Sequence, residues 1–140
     1  MTAPHPEDDS NEWEWLSRRL IETLHAESLS RFGGLPGIRD EGLLESALAR
    51  PQHLAPYEEP SVFQLAAAYC EGIISNHPFA DGNKRTGLLS ARAFLFKNGF
   101  RLDPEEAETV TVIRRVAAGE WSRDELTEWL RANSASSSDK

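Results

Sequence analysis

The chain has one cysteine, one methionine and no long apolar run among its 140 residues. Lone Cys70 cannot pair within the chain, and such poverty in cysteine is compatible with a reducing cytoplasm. It lies in an apolar stretch, where it reads as a small core residue rather than a nucleophile. No apolar run reaches the roughly 18 residues that a membrane span needs. Residues Met1 to Asn11 are too polar for a secretory leader, so the expectation is a soluble, cytoplasmic protein with no membrane partner. Positive charge is also short, with 15 Lys and Arg against 23 Asp and Glu, a formal net charge of -8. Binding to nucleic acid rests on neutralising phosphates with cations, so the charge argues against a general nucleic-acid surface but not against a small phosphate site. Neither Gly-x4-Gly-Lys-[Ser/Thr] nor His-Glu-x-x-His occurs, which removes a P-loop and the common zinc-protease pattern, and there is no internal repeat.

What is present is concentrated between His77 and Gly87, His-Pro-Phe-Ala-Asp-Gly-Asn-Lys-Arg-Thr-Gly. Pro78 disfavours helical geometry at His77 and lacks an N–H, so a helix over Val62 to Asn76 should end there. After Asn83 the chain is strongly apolar through Phe96, which places Gly82 and Asn83 at the start of a buried helix. A helix N-terminus has unpaired N–H groups and a partial positive charge, and a glycine lets amides converge on one anion. Lys84 and Arg85 add two cations, Asn83 adds an amide, and Asp81 can hold Mg2+ on phosphate oxygens. His77 is the group suited to accept a hydroxyl proton near neutral pH. Together they point to phosphoryl or nucleotidyl transfer to a hydroxyl. Each residue also has a plainer reading: His77 as a helix-end histidine, Asp81 as an N-cap, Phe79 as core, and Lys84 and Arg85 as a solvated first turn.

This stretch resembles the Fic/Doc superfamily motif His-x-Phe-x-[Asp/Glu]-Gly-Asn-[Gly/Lys]-Arg, in the Lys form of the Doc (death-on-curing) branch. The segments Phe32 to Gln52 and Phe63 to Tyr69 extend the likeness, which covers about Leu16 to Leu130. The resemblance implies that His77 is the base, Asp81 the Mg2+ ligand and Phe79 the loop anchor, with Gly82, Asn83, Lys84 and Arg85 binding phosphate. Two positions depart from the Fic form that transfers AMP: Lys84 stands where Gly is usual, and Leu88 where a second Arg is usual. Lys84 should constrain the loop backbone, and the resemblance to Doc implies ATP bound in the reverse sense, with the γ-phosphoryl transferred to a Ser or Thr hydroxyl. It further implies a bacterial toxin acting on a translation protein, with elongation factor Tu the expected target. AMP transfer, or a catalytically silent helical interaction module, are the alternatives. The inhibitory pattern [Ser/Thr]-x-x-x-Glu-[Gly/Asn] is missing: Thr23 and Glu27 are followed by Ser28, and Glu41-Gly42 and Glu71-Gly72 lack the hydroxyl residue. Restraint by a Phd-type antitoxin in trans is therefore expected.

The expected fold is all-α, one domain of about six helices around a central buried helix, with a mobile tail at 1–12, the domain at 13–131 and a disordered tail at 132–140. Helices are expected from Ser17 to Arg31, from an Asp40 cap to Pro51, and from a Ser61-Val-Phe-Gln64 capping box to Asn76. The helix carrying Leu88, Leu89, Ala91, Phe94, Leu95 and Phe96 is taken as central, closed at Asn98-Gly99. A fifth helix should start from Asp103-Pro104 and a sixth from Ser122. His25 reads as structural. The segment Gly33 to Gly42 corresponds to the flap that positions the target chain in Fic proteins, or is an ordinary interhelical loop.

Overall fold

The computed structural model describes residues 13–137. Among them six helices and one small antiparallel sheet follow in the order α1 (Arg18–Phe32), α2 (Glu41–Glu58), α3 (Val62–Asn76), α4 (Asn83–Lys97), β1 (Phe100–Leu102), α5 (Glu106–Ala117), α6 (Arg123–Ala132) and β2 (Ser134–Ser136). The expected all-α class is what forms. No helix among the described residues is long and apolar enough to cross a membrane.

Side-chain caps start four of the six helices. Ser17, Asp40, Ser61 and Ser122 accept the N–H three residues on, and the last two form full capping boxes with Gln64 and Glu125. The expected centre shifts by one helix. It is α3, which touches α2, α4, α5 and α6 and buries an unbroken run from Leu65 to Cys70. Helix α4 was expected there for its apolar content, yet Phe96 is 67% exposed on its outer side. The physical reason is side-chain size: Ala66, Ala67, Ala68 and Gly72 let neighbours close on α3 from every direction. At Gly72 an added Cβ would lie 3.5 Å from the Ala47 carbonyl of α2. Buried Cys70 belongs to this run, and burial pushes its thiol up to about 12.

Other boundaries also move. Pro51 does not end α2, which continues through Pro56 to Glu58. Leu44, Ala47 and Leu48 are buried ahead of Pro51, itself buried, and that packing outweighs the missing N–H. Helix α5 begins at Glu106 without a side-chain cap, not at Asp103, whose N–H instead continues the β1–β2 ladder by bonding to the Asn133 carbonyl. The same ladder corrects the disordered tail expected from 132. Ser134–Ser136 pairs with β1, Leu102 opposite Ser134 and Phe100 opposite Ser136. Polar composition does not prevent pairing where a neighbouring strand offers its backbone. Residues 1–12 and 138–140, the rest of the expected tails, lie outside the described residues.

Ahead of α1, Trp13 and Trp15 tilt against Phe94, and the Leu16 N–H bonds to the Tyr69 hydroxyl at 3.0 Å. This entry segment lies on the α3–α4 pair.

Candidate active site

Helix α3 ends at His77, whose backbone lies in the left-handed region (φ 53°, ψ 52°). For a residue other than glycine this costs about 1 kcal/mol or more, so its surroundings must hold it. The His77 N–H closes the helix on the Ile73 carbonyl at 3.1 Å. Its ring Nδ1 is 3.0 Å from the Ile74 carbonyl. A carbonyl only accepts, so Nδ1 carries the proton and Nε2 keeps the lone pair, the tautomer a general base needs.

From His77 the chain crosses to α4 over a loop that its own side chains brace. Phe79 is 1% exposed, with its ring stacked 3.9 Å from that of His25. Asn83 pairs reciprocally with the Phe79 backbone: the Phe79 N–H donates to Oδ1 at 3.0 Å, and Nδ2 donates to the Phe79 carbonyl at 3.0 Å. Buried Asn83 thus closes the loop with its side chain and leaves its backbone N–H for an anion, a change from the amide contact expected. Gly82 caps α4 in the left-handed region (φ 79°) with no side-chain bond to the first turn. Among the described residues, the N–H groups of Asn83, Lys84 and Arg85 have no protein acceptor. This is the open nest that binds phosphate.

Asp81 is not the cap. Its Oδ1 accepts the Gly82 N–H at 2.8 Å and its Oδ2 accepts the Leu35 N–H at 3.1 Å. These two donors, with Arg85 nearby, hold its carboxyl below the usual range. Each oxygen keeps a lone pair. No group of three or more His, Cys, Asp or Glu gathers as a metal cage among the described residues. A single ionised carboxylate beside an anion nest fits Mg2+ carried in on a phosphate chain, since that ion commonly takes one or two carboxylates plus phosphate oxygens and water.

Lys84 lies within the first turn of α4, where a lysine adopts the helical backbone without strain. The expected constraint on the loop backbone is therefore absent; what Lys84 adds is charge and bulk. Arg85 reaches the other way, with Nε donating to Ser28 Oγ at 2.8 Å and Nη2 to the Gly33 carbonyl at 3.0 Å. Its guanidinium also lies 5.2 Å from the centre of the Phe32 ring. His77, Asp81, Gly82, Asn83, Lys84 and Arg85 line one cavity of about 380 Å3, closed on the α5 side by Ala117. Phe79 lies beneath it.

Sequence reasoning missed the supports. His25 Nε2 donates to the Asp81 carbonyl at 2.8 Å, and Ser28 orients Arg85; both are buried on α1. The available signal was two polar residues interrupting one face of an amphipathic helix. The segment between α1 and α2 packs on the loop in extended fashion. Ile38 bridges Phe79, the Ala80 N–H bonds to the Gly37 carbonyl, and the Arg39 and Asp40 N–H groups both bond to the Pro78 carbonyl.

The Fic/DOC family profile matches residues 15–95, more than half of the chain and including this whole site. The chain belongs to the Fic/DOC family. Among curated proteins this Fic/DOC chain is similar to "Protein kinase doc" of Escherichia phage P1, at 40% identity over 118 residues, 83% of the chain and 92% of the relative. It is also similar to "Toxin Doc" of Mycolicibacterium smegmatis, at 41% identity over 91 residues, 64% of the chain and 68% of the relative. The Fic/DOC profile and both relatives agree with the resemblance drawn from the His77 to Gly87 stretch.

Proposed function

We propose that this protein is a Doc-type toxin that transfers the γ-phosphoryl group of ATP to a Ser or Thr hydroxyl of a translation protein. The observation that carries this is the contact of His77 Nδ1 with the Ile74 carbonyl, which leaves Nε2 free, beside the unpaired first-turn amides in one cavity. A basic Nε2 and an anion nest are what transfer to a hydroxyl requires. The names of the two relatives, a protein kinase and a toxin, support the same reading.

In this mechanism the β- and γ-phosphate oxygens rest on the amides of Asn83, Lys84 and Arg85 and on the Lys84 ammonium. Asp81 would hold Mg2+, which when bound would neutralise phosphate charge. His77 Nε2 takes the proton as the target oxygen bonds to the γ-phosphorus; the bond to the bridging oxygen breaks and ADP leaves. Such a transfer needs positioning and charge stabilisation more than covalent help. Elongation factor Tu is the proposed target on the resemblance to the Doc branch. A Phd-type antitoxin is the proposed restraint, supported by the missing inhibitory pattern.

The test is ATP labelled separately at the α and γ positions, with Mg2+ and purified elongation factor Tu, comparing the chain with His77→Ala. Label from γ alone, lost in His77→Ala, is expected. Label from α makes the protein an adenylyltransferase. No label from either, with nucleotide still bound, leaves a binding module or another target.

A further inference from the structure

Arg39 lies outside the His77 to Gly87 stretch, yet its side chain bonds to the end of α3. It projects from the extended segment between α1 and α2. Its Nε donates to the His77 carbonyl at 2.7 Å and its Nη2 to the Asn76 carbonyl at 3.0 Å. Its own backbone N–H bonds to the Pro78 carbonyl at 2.7 Å. The guanidinium thus places a full positive charge on the last carbonyls of α3, the negative end of that helix, and satisfies two acceptors left without intrahelical partners. Among the described residues no other side chain bonds to the His77 carbonyl.

We propose that Arg39 is a positioning residue for His77, fixing the left-handed backbone that lets Nδ1 reach the Ile74 carbonyl and so leaves the lone pair on Nε2. The chain of cause is short. The bond from Nδ1 to the carbonyl three residues back is made with φ of His77 at 53°. A residue with a Cβ leaves that region when nothing holds it. Asn76 is anchored independently, its Nδ2 donating to the Leu43 carbonyl at 3.0 Å and its Oδ1 accepting from Arg50 at 3.3 Å. What Arg39 adds is the hold on His77 itself. Because Arg39 stands in the segment that pairs with Pro78 to Ala80, displacement of that segment carries the clamp with it.

This inference rests on the reading of His77 as base, and its test separates the two. In the full-length chain, at a pH where the imidazole is neutral, two-bond proton–nitrogen correlation spectra report which ring nitrogen of His77 carries the proton. The unaltered chain is expected to show Nδ1–H. Arg39→Gln is expected to show a mixture of tautomers, and Arg39→Lys to recover most of the original signal. In γ-phosphoryl transfer, kcat of Arg39→Gln should fall about tenfold or more while KM for ATP stays within about twofold, with partial rescue by lysine, as for a misplaced catalytic group. An unchanged tautomer in folded Arg39→Gln overturns the proposal, whatever the activity. If that variant does not fold, Arg39→Met, which keeps the stem and removes both donors, decides: a tautomer and kcat both equal to those of the unaltered chain overturn the proposal. A shifted tautomer together with undiminished transfer by His77→Ala preserves the Arg39 clamp and overturns the base reading instead.

Discussion

Asn83 and Asp81 carry opposite kinds of burden in the same loop. Asn83 is buried and answers both backbone groups of Phe79, so Asn83→Ala leaves a buried donor and acceptor unpaired. That is expected to destabilise the protein by about 1–3 kcal/mol, with the urea midpoint falling at unchanged m. Denaturation unchanged from the parent would mean that the pair is not what closes the loop. Asp81 is exposed, and its depressed pKa ties loop order to pH. A carboxyl whose folded pKa lies below its unfolded value contributes stability above the unfolded value and loses it as pH falls through the folded one. The amide signals of Leu35 and Gly82 are therefore expected to hold steady down to the ordinary carboxyl value of 3.8 and to move only below it. Asp81→Asn should abolish that movement, and amides that titrate above 3.8 would show that the carboxylate does not hold them.

At the scale of elements, the site depends on how closely α3 and α4 approach, because one ends at the base and the other begins at the anion nest. Gly87 sets that approach. An added Cβ there would lie 2.9 Å from the Cys70 carbonyl and 2.9 Å from Ile74 Cγ1. The isoleucine can turn away but a helix carbonyl cannot, so Gly87→Ala should cost about 1–3 kcal/mol, measurable by urea unfolding, and should separate the two helices. Unaltered stability would show that the α3–α4 distance is soft. Helix α1 is the counterpart on the other side of the loop. Its buried Ile21, His25 and Ser28 lie on one face, and the polar pair meets the loop where the apolar residue meets the core.

At the scale of the molecule, β2 returns the end of the chain to the connection between α4 and α5. Truncation after Asn133 removes the ladder to Phe100–Leu102 but leaves the Asp103 bond to the Asn133 carbonyl. A loss of about 1–2 kcal/mol is expected from a few exposed backbone bonds, read as a lower thermal midpoint with the helices retained by circular dichroism. A truncated chain as stable as the parent would make the sheet incidental.

The sequence by itself determined the helical class, the capped helix starts at Asp40, Ser61 and Ser122, the end of α3 at His77 and the gathering of His77, Asp81, Gly82, Asn83, Lys84 and Arg85 at one helix junction. These are local properties: a cap, a proline or a glycine acts within a few residues, and residues at most eight apart in sequence cannot be far separated in space. The tertiary structure alone decided which helix lies at the centre, that α2 runs through two prolines, that Ser134–Ser136 is a strand, and that Asn83 turns its side chain inward. It alone brought His25, Ser28 and Arg39 to the loop. Each of those outcomes depends on partners distant in the chain, and packing or backbone pairing across that distance overrides local propensity by amounts that the local pattern does not contain.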